Sequence, residues 1–189
     1  MDIFTAPGQY KYAVPPTVIT DEQVLETTAL VEHIKVDLRL GRPVSRNYYN
    51  TWFDSKSLSI RVAGRYYPHN ALWSPKAIDL LLAGKASGAL IKEHVVPYRV
   101  QLDYLLSAIE QGRDIVDITT LMVAFPNAVI DGVTDKLLNN AGLRQKMPDG
   151  IDWTTHAHRG FVRYSSVGID ISSLRSIADW KTTLGLTLE

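Results

Sequence analysis

Residues that start and stop helices divide this chain into short segments, and the positions of these signals limit which folds the chain can adopt. Thr20 and Gln23 have the spacing of a capping box, which predicts a helix directly after Thr20. Ser74 followed by Pro75 predicts a second helix start, because the fixed φ of proline suits the first helical position. Stops are predicted where glycine follows each helical pattern, at Gly41, Gly84, Gly112 and Gly142.

The segments between these signals include both helical and extended patterns. Apolar residues recur at helical spacing over 98–111 and again after Asp114. Strands are predicted where apolar residues alternate around Ile60 and where β-branched residues concentrate, over 89–96 and 128–130. The sequence therefore predicts an α+β fold, with several helices packed around a small sheet.

The C-terminal half is predicted in less regular pieces. Asp131 is expected to cap a helix that runs to Asn140, and residues 143–158 are expected to form a loop. Residues 160–171 are predicted to be strand or irregular structure, and Ser172 or Ser173 to cap a last helix through Trp180. We expect a single domain over 1–189, which opens with an extended arm at 1–19.

The composition excludes several classes of function. The chain of 189 residues has no cysteine, which excludes disulfides, cysteine nucleophiles and cysteine–zinc sites. Its 20 basic and 20 acidic residues balance, which argues mildly against a non-specific nucleic-acid binder. No apolar run approaches the ~20 residues that span a bilayer, and no signal peptide is recognisable, so a cytoplasmic protein without a membrane partner is expected. No phosphate-binding or dinucleotide-binding glycine motif is present, so no nucleotide cofactor is expected.

The strongest local pattern is Glu93-His94-Val95-Val96-Pro97. This string resembles the opening of HNH-type nucleases, whose ββα-metal unit often begins with an acid, a histidine, two apolar residues and a proline. The resemblance implies that Glu93 is a metal ligand and that His94 is the general base that activates water. Consecutive residues of a regular strand point to opposite sides, so both side chains can serve one site only if the strand ends or twists here.

The resemblance also implies a second strand and a helix that carries another ligand. Residues 88–141 have this order if the intervening helices are an insertion, and Asp131 and Asp135 lie one turn apart on the predicted helix. Oxygen ligands of this kind favour Mg²⁺ or Mn²⁺ as the cofactor. The alternative for Asp131 is a helix N-cap, for Asp135 an exposed helical acid, and for His94 a histidine whose ring binds a backbone carbonyl.

A basic segment offers a different function. Residues 39–65 hold six basic residues against one acid, interleaved with aromatic residues that can stack on bases. The candidate phosphate-binding residues are Arg42, Arg46, Arg61 and Arg65. The alternative is a solvated face over an aromatic core. His156 and His158, spaced i, i+2, are a further candidate pair that could chelate a metal, and the alternative is that both are surface residues.

Three hypotheses therefore stand at the level of sequence. The first is a metal-dependent HNH-like nuclease that uses His94 as the base. The second is a non-catalytic module that binds a protein partner, on a degenerate nuclease-like fold. The third is a protein that binds nucleic acid without catalysis.

Overall fold

The computed structural model describes residues 19–44, 59–62, 65–68, 71–124, 127–151 and 160–184. The first half of the chain forms, in order, α1 (Asp21–Arg39), β1 (Ser59–Val62), β2 (Arg65–Pro68), β3 (Leu72–Trp73), α2 (Pro75–Leu82), α3 (Ala86–Ala89) and β4 (Leu90–His94). The second half forms α4 (Tyr98–Glu110), α5 (Ile115–Ala124), β5 (Asn127–Asp131), α6 (Gly132–Asn140), α7 (Val162–Ser165), β6 (Arg175–Ser176) and α8 (Ile177–Leu184). Helices around small sheets confirm the predicted α+β class.

The predicted helix starts are confirmed in atomic detail. Thr20 Oγ1 accepts from the Gln23 backbone N–H at 3.2 Å, and Gln23 Oε1 accepts from the Thr20 backbone N–H at 3.0 Å. Ser74 Oγ accepts from the Ala77 N–H at 3.1 Å at the start of α2. These caps satisfy N–H groups that have no partner within the helix.

Four short strands form the main sheet, in the order β4, β5, β3, β6. Strand β5 runs antiparallel to β4 and parallel to β3, and β3 runs antiparallel to β6. Strands β1 and β2 form a separate antiparallel hairpin. Strand β4 confirms the extended segment predicted over 89–96, and β5 confirms that over 128–130.

Buried apolar side chains gather in three main clusters. One lies among α1, α4 and α5 and includes Leu30, Ile34, Leu105, Ile118 and Met122. A second joins the hairpin, α2 and one face of the sheet, and includes Tyr67, Trp73, Ile78, Leu90 and Val129. The third lies against the opposite face, under α6 and α7, and includes Ala128, Ile130, Leu138, Phe161 and Tyr164. The main sheet is therefore covered on both faces.

Two predictions for the last quarter of the chain are wrong. The 160–171 segment, predicted as strand or irregular structure, contains the short helix α7 over Val162–Ser165. The last helix starts at Ile177, where Ser176 Oγ accepts from the Asp179 N–H at 3.1 Å, and not at Ser172 or Ser173. Several serines have suitable chemistry for a cap. Residues 175–176 pair with β3 as strand β6, so the helix can start only after this strand.

Candidate functional site

The candidate site is built on β4, β5 and α6. The register of the two strands places His94 opposite Asn127 at one end and Leu90 opposite Asp131 at the other. Helix α6 follows β5 directly and packs against both strands. Strand β4, the antiparallel strand β5 and helix α6 follow in this order along the chain, with α4 and α5 inserted between the two strands.

Glu93 and His94 leave β4 towards opposite faces of the sheet. Residues that lie directly opposite in an antiparallel pair share a face, so Glu93 lies beside Ala128, and His94 beside Asn127. Ala128 packs in the cluster under α6, which places Glu93 on the α6 face. His94 is the last residue of β4, so the strand ends where the two side chains would have to meet.

Arg163 binds Glu93 inside the protein. Its side chain is fully buried, and its Nη2 donates to Glu93 Oε1 and, at 2.5 Å, to the carbonyl oxygen of His94. Its Nη1 donates to the carbonyl oxygen of Leu143 at 2.8 Å. Within the described ranges its Nε has no hydrogen-bond partner. One guanidinium therefore joins α7, the end of β4 and the loop after α6.

The carboxyl group of Glu93 is electrostatically perturbed. Burial raises the pKa of Glu93 above its ordinary value of 4.5, and the positive charge of Arg163 offsets only part of this effect. The negative charge of Asp135 raises the pKa of Glu93 further. Asp135, on α6, therefore lies within electrostatic range of Glu93.

Two further polar side chains complete this cluster. Asn139 Nδ2 donates to Asp135 Oδ2 at 2.8 Å, and Asn139 Oδ1 is buried without a partner in the described part of the chain. The hydroxyl of Tyr164 is likewise buried without a described partner, and burial raises the pKa of Tyr164 well above its ordinary value. We call Glu93, Asp135, Asn139, Arg163 and Tyr164 the α6-face cluster. Unsatisfied buried polar atoms are rare in proteins and often accompany a bound ion or water.

Asp131 lies at the other end of β5 and caps α6. Its Oδ1 accepts from the backbone N–H groups of Val133 and Thr134 at 2.8 and 3.2 Å, and its Oδ2 accepts from the Thr134 hydroxyl at 2.7 Å. Burial acts to raise the pKa of Asp131, but these hydrogen bonds outweigh it and lower the pKa overall. A ligand role for Asp131 would compete with this cap.

The basic residues that the sequence selected are not equivalent. Arg42 lies just after α1, with its Nη1 4.0 Å from Asp37 Oδ1. Arg61 and Arg65 are exposed on the β1–β2 hairpin. Arg46 lies outside the described residues, as do His156 and His158. Of the described residues in this set, Arg65 lines a cleft that also includes Lys92 of β4.

Sequence reasoning missed Asn139, Arg163 and Tyr164. Arg163 and Tyr164 fall in the segment assigned to strand or irregular structure, and Asn139 is one of two consecutive asparagines near a helix end. An arginine between apolar residues, in Phe161-Val162-Arg163-Tyr164, was the available signal, because a charge inside an apolar run needs a buried partner.

Comparisons with protein-family models, curated proteins and solved structures found no match to this chain. Among the described residues, no group of three or more histidine, aspartate or glutamate side chains is arranged to hold a metal ion. No described helix combines the length and apolar character needed to cross a membrane. The functional argument therefore depends on the geometry of the chain itself.

Proposed function

We propose that this chain is a metal-dependent phosphodiesterase of HNH-like type that cleaves nucleic acid. Glu93, Asp135 and Asn139 supply side-chain oxygens to one Mg²⁺ or Mn²⁺, and His94 is the general base. The observation that carries the proposal is the buried Oδ1 of Asn139, which has no hydrogen-bond partner among the described residues. The same amide donates to Asp135, whose negative charge raises the pKa of Glu93.

The donor set suits a hard divalent cation. Mg²⁺ and Mn²⁺ prefer carboxylate and amide oxygens, and Mg²⁺ commonly keeps several waters beside one or two carboxylates. Arg163 engages Oε1 of Glu93, so we assign Oε2 to the cation. The asparagine amide supplies the third oxygen, which replaces Asp131 in the ligand set that the sequence suggested. A set of two acids and an amide is also compatible with the absence of a three-acid group from the part of the chain that the structure describes.

His94 acts from the end of the strand. The two faces of the sheet meet where β4 ends, so a phosphodiester lying across this end could reach Glu93 and its cation on one side and the His94 ring on the other. Histidine titrates near neutral pH and can take a proton from water. The hydroxide would form a new P–O bond as the bond from phosphorus to the leaving oxygen breaks, and the leaving oxygen would take a proton from water. A cation held by Glu93, Asp135 and Asn139 would stabilise the negative charge on the phosphate and on the leaving oxygen.

The second candidate is a non-catalytic module that binds a protein partner. The contacts of Arg163 favour it, because a buried guanidinium that bridges Glu93 and several backbone carbonyls has a structural role without any metal. In this case Glu93 exists to neutralise Arg163. The two candidates differ in whether a divalent cation binds and whether phosphodiesters are cleaved.

A cleavage assay separates these candidates. The purified chain is incubated with single-stranded DNA, duplex DNA or RNA in Mg²⁺ or Mn²⁺, with and without EDTA. We expect cleavage of at least one substrate, loss of cleavage in EDTA, and loss in Asp135→Asn. Asp149→Asn, which neutralises an exposed loop acid, should cleave like the parent. If no substrate is cleaved, or if EDTA does not change cleavage, the metal-dependent phosphodiesterase is contradicted and the protein-binding module is favoured.

A further inference from the structure

A cleft of about 430 Å³ lies between the β1–β2 hairpin and β4. Its volume falls in the range of about 300–1,000 Å³ that is usual for small-molecule sites. Its lining consists of Arg65, Tyr66, Tyr67, Leu90 and Lys92. The described lining thus contains two cations, two aromatic rings and one aliphatic side chain, and no acid.

The floor of the cleft is buried and its rim is exposed. The Tyr67 side chain is 3% exposed, and its ring centroid lies 4.8 Å from that of Trp73, in the core. Tyr66 is 50% exposed, so its ring is accessible to a ligand at the rim of the cleft. Arg61 lies directly opposite Tyr66 in the hairpin, so it adds a third cation on the same face as that ring.

The cleft opens on the face of β4 that carries His94. Lys92 and His94 are two residues apart in a regular strand, so their side chains share a face, about 7 Å apart along it. Leu90, one further step back, lines the cleft on the same face. A chain that passes through the cleft along β4 therefore reaches His94.

We propose that this cleft binds one nucleotide unit of a single-stranded nucleic acid. Arg65 and Lys92 hold the phosphate, and the exposed ring of Tyr66 stacks on the base. Stacking on a side chain requires a base that is not paired, which selects a single strand over a duplex. The inference deepens the proposed function, on which it rests, because it names the substrate class that is led towards His94.

An acidic peptide is the competing occupant, and the aromatic contact distinguishes the two. A peptide carboxylate would use Arg65 and Lys92 but gain little from Tyr66. A nucleotide uses both kinds of side chain, because phosphate and base lie on the same unit. The dependence of binding on Tyr66 is therefore the decisive property.

Binding is measured on the full chain in EDTA by fluorescence anisotropy, with labelled single-stranded DNA and RNA of mixed sequence, a duplex, and poly-glutamate. We expect single strands to bind more tightly than the duplex or poly-glutamate. Tyr66→Ala should weaken single-strand binding about tenfold or more, and Tyr66→Phe should retain it. Lys92→Ala should weaken it and reduce the log–log salt slope by about one. Lys136→Ala removes an exposed charge on α6, outside the cleft, and should bind like the parent.

Three results would overturn the inference: no binding at low salt, binding that Tyr66→Ala and Lys92→Ala change no more than Lys136→Ala does, or binding to poly-glutamate as tight as to a single strand. Because EDTA removes divalent cations, this assay does not depend on catalysis. Binding in EDTA without any cleavage in the activity assay would support nucleotide binding in the cleft and reject the phosphodiesterase. Cleavage that does not depend on Tyr66 would support the phosphodiesterase and reject nucleotide binding in the cleft.

Discussion

The guanidinium of Arg163 donates to the carboxylate of Glu93 across 70 positions of the chain, and both groups are withdrawn from water. The same guanidinium holds the carbonyl oxygen of His94, the residue beside Glu93. Arg163 therefore fixes the end of β4, where we place the chemistry. A cation bound at Glu93 would therefore have to share the negative charge of this carboxylate with Arg163.

The first prediction concerns this ion pair. Arg163→Met leaves the Glu93 carboxylate buried without its partner and should lower the free energy of unfolding by about 3–5 kcal/mol. Glu93→Gln/Arg163→Met removes both charges, so it should be more stable than Arg163→Met alone. Urea denaturation of the parent, both single variants and the double variant gives the coupling energy. Strictly additive losses would show that the two side chains do not interact.

The second prediction separates the two roles of Asp131. Asp131→Ala removes the N-cap of α6 and should cost about 1 kcal/mol, within the usual range for lost caps. Asp131→Ser keeps an oxygen that can cap the helix, so its stability should stay close to that of the parent. Both are measured by thermal unfolding. Suppose that Asp131→Ser is as stable as the parent without metal but, unlike the parent, is not stabilised when Mn²⁺ is added. Asp131 would then belong to the cation site, and the assignment of Asn139 in its place would be wrong.

The third prediction is a pH dependence. Because burial raises the pKa of Glu93 above 4.5, the folded protein keeps this proton at pH values where the unfolded chain has lost it. The stability from this group is complete below pH 4.5 and is lost as pH rises through the raised pKa. The parent should therefore lose stability relative to Glu93→Gln as pH rises through this window. A relative gain would mean that attraction to Arg163 outweighs burial.

The fourth prediction separates catalysis from packing at His94. His94→Ala should lower cleavage by about 10²- to 10⁴-fold, the usual contribution of a general base. It should cost the fold at most about 1–2 kcal/mol, as for a typical single substitution. Rates and thermal unfolding are measured together, with the exposed His33→Ala as the matched control. A large drop in stability, with no metal-dependent cleavage in the parent, would give His94 a structural role.

Local chemistry made much of this fold predictable. Three helix caps lie where the sequence predicted them: the capping box of Thr20 and Gln23, the Ser74 cap and the Asp131 cap. Each depends on residues within one turn of each other, so no tertiary information is needed. The two-residue strands β3 and β6 were missed, because hydrogen bonding to distant strands defines them and they carry too few residues for a periodic pattern.

The site was predictable only in part, for the same reason. Glu93, His94 and Asp135 were visible through a short motif and a plausible strand–helix order. Arg163 was not, because its partner is remote in sequence and no periodicity marks a segment that is buried on every side. Asn139 became a candidate only when the structure showed its oxygen buried with no partner in the described ranges.

Mn²⁺ binding to the intact chain tests the central claim most directly. Titration with Mn²⁺, followed by electron paramagnetic resonance of the free ion, counts bound ions and gives their affinity. We predict one bound ion per chain, weaker binding as pH falls through the raised pKa of Glu93, weaker binding in Asn139→Leu and tighter binding in Asn139→Asp. Asp149→Asn should bind like the parent. A parent that binds no Mn²⁺, or an Asn139→Leu variant that binds it as the parent does, would contradict the account.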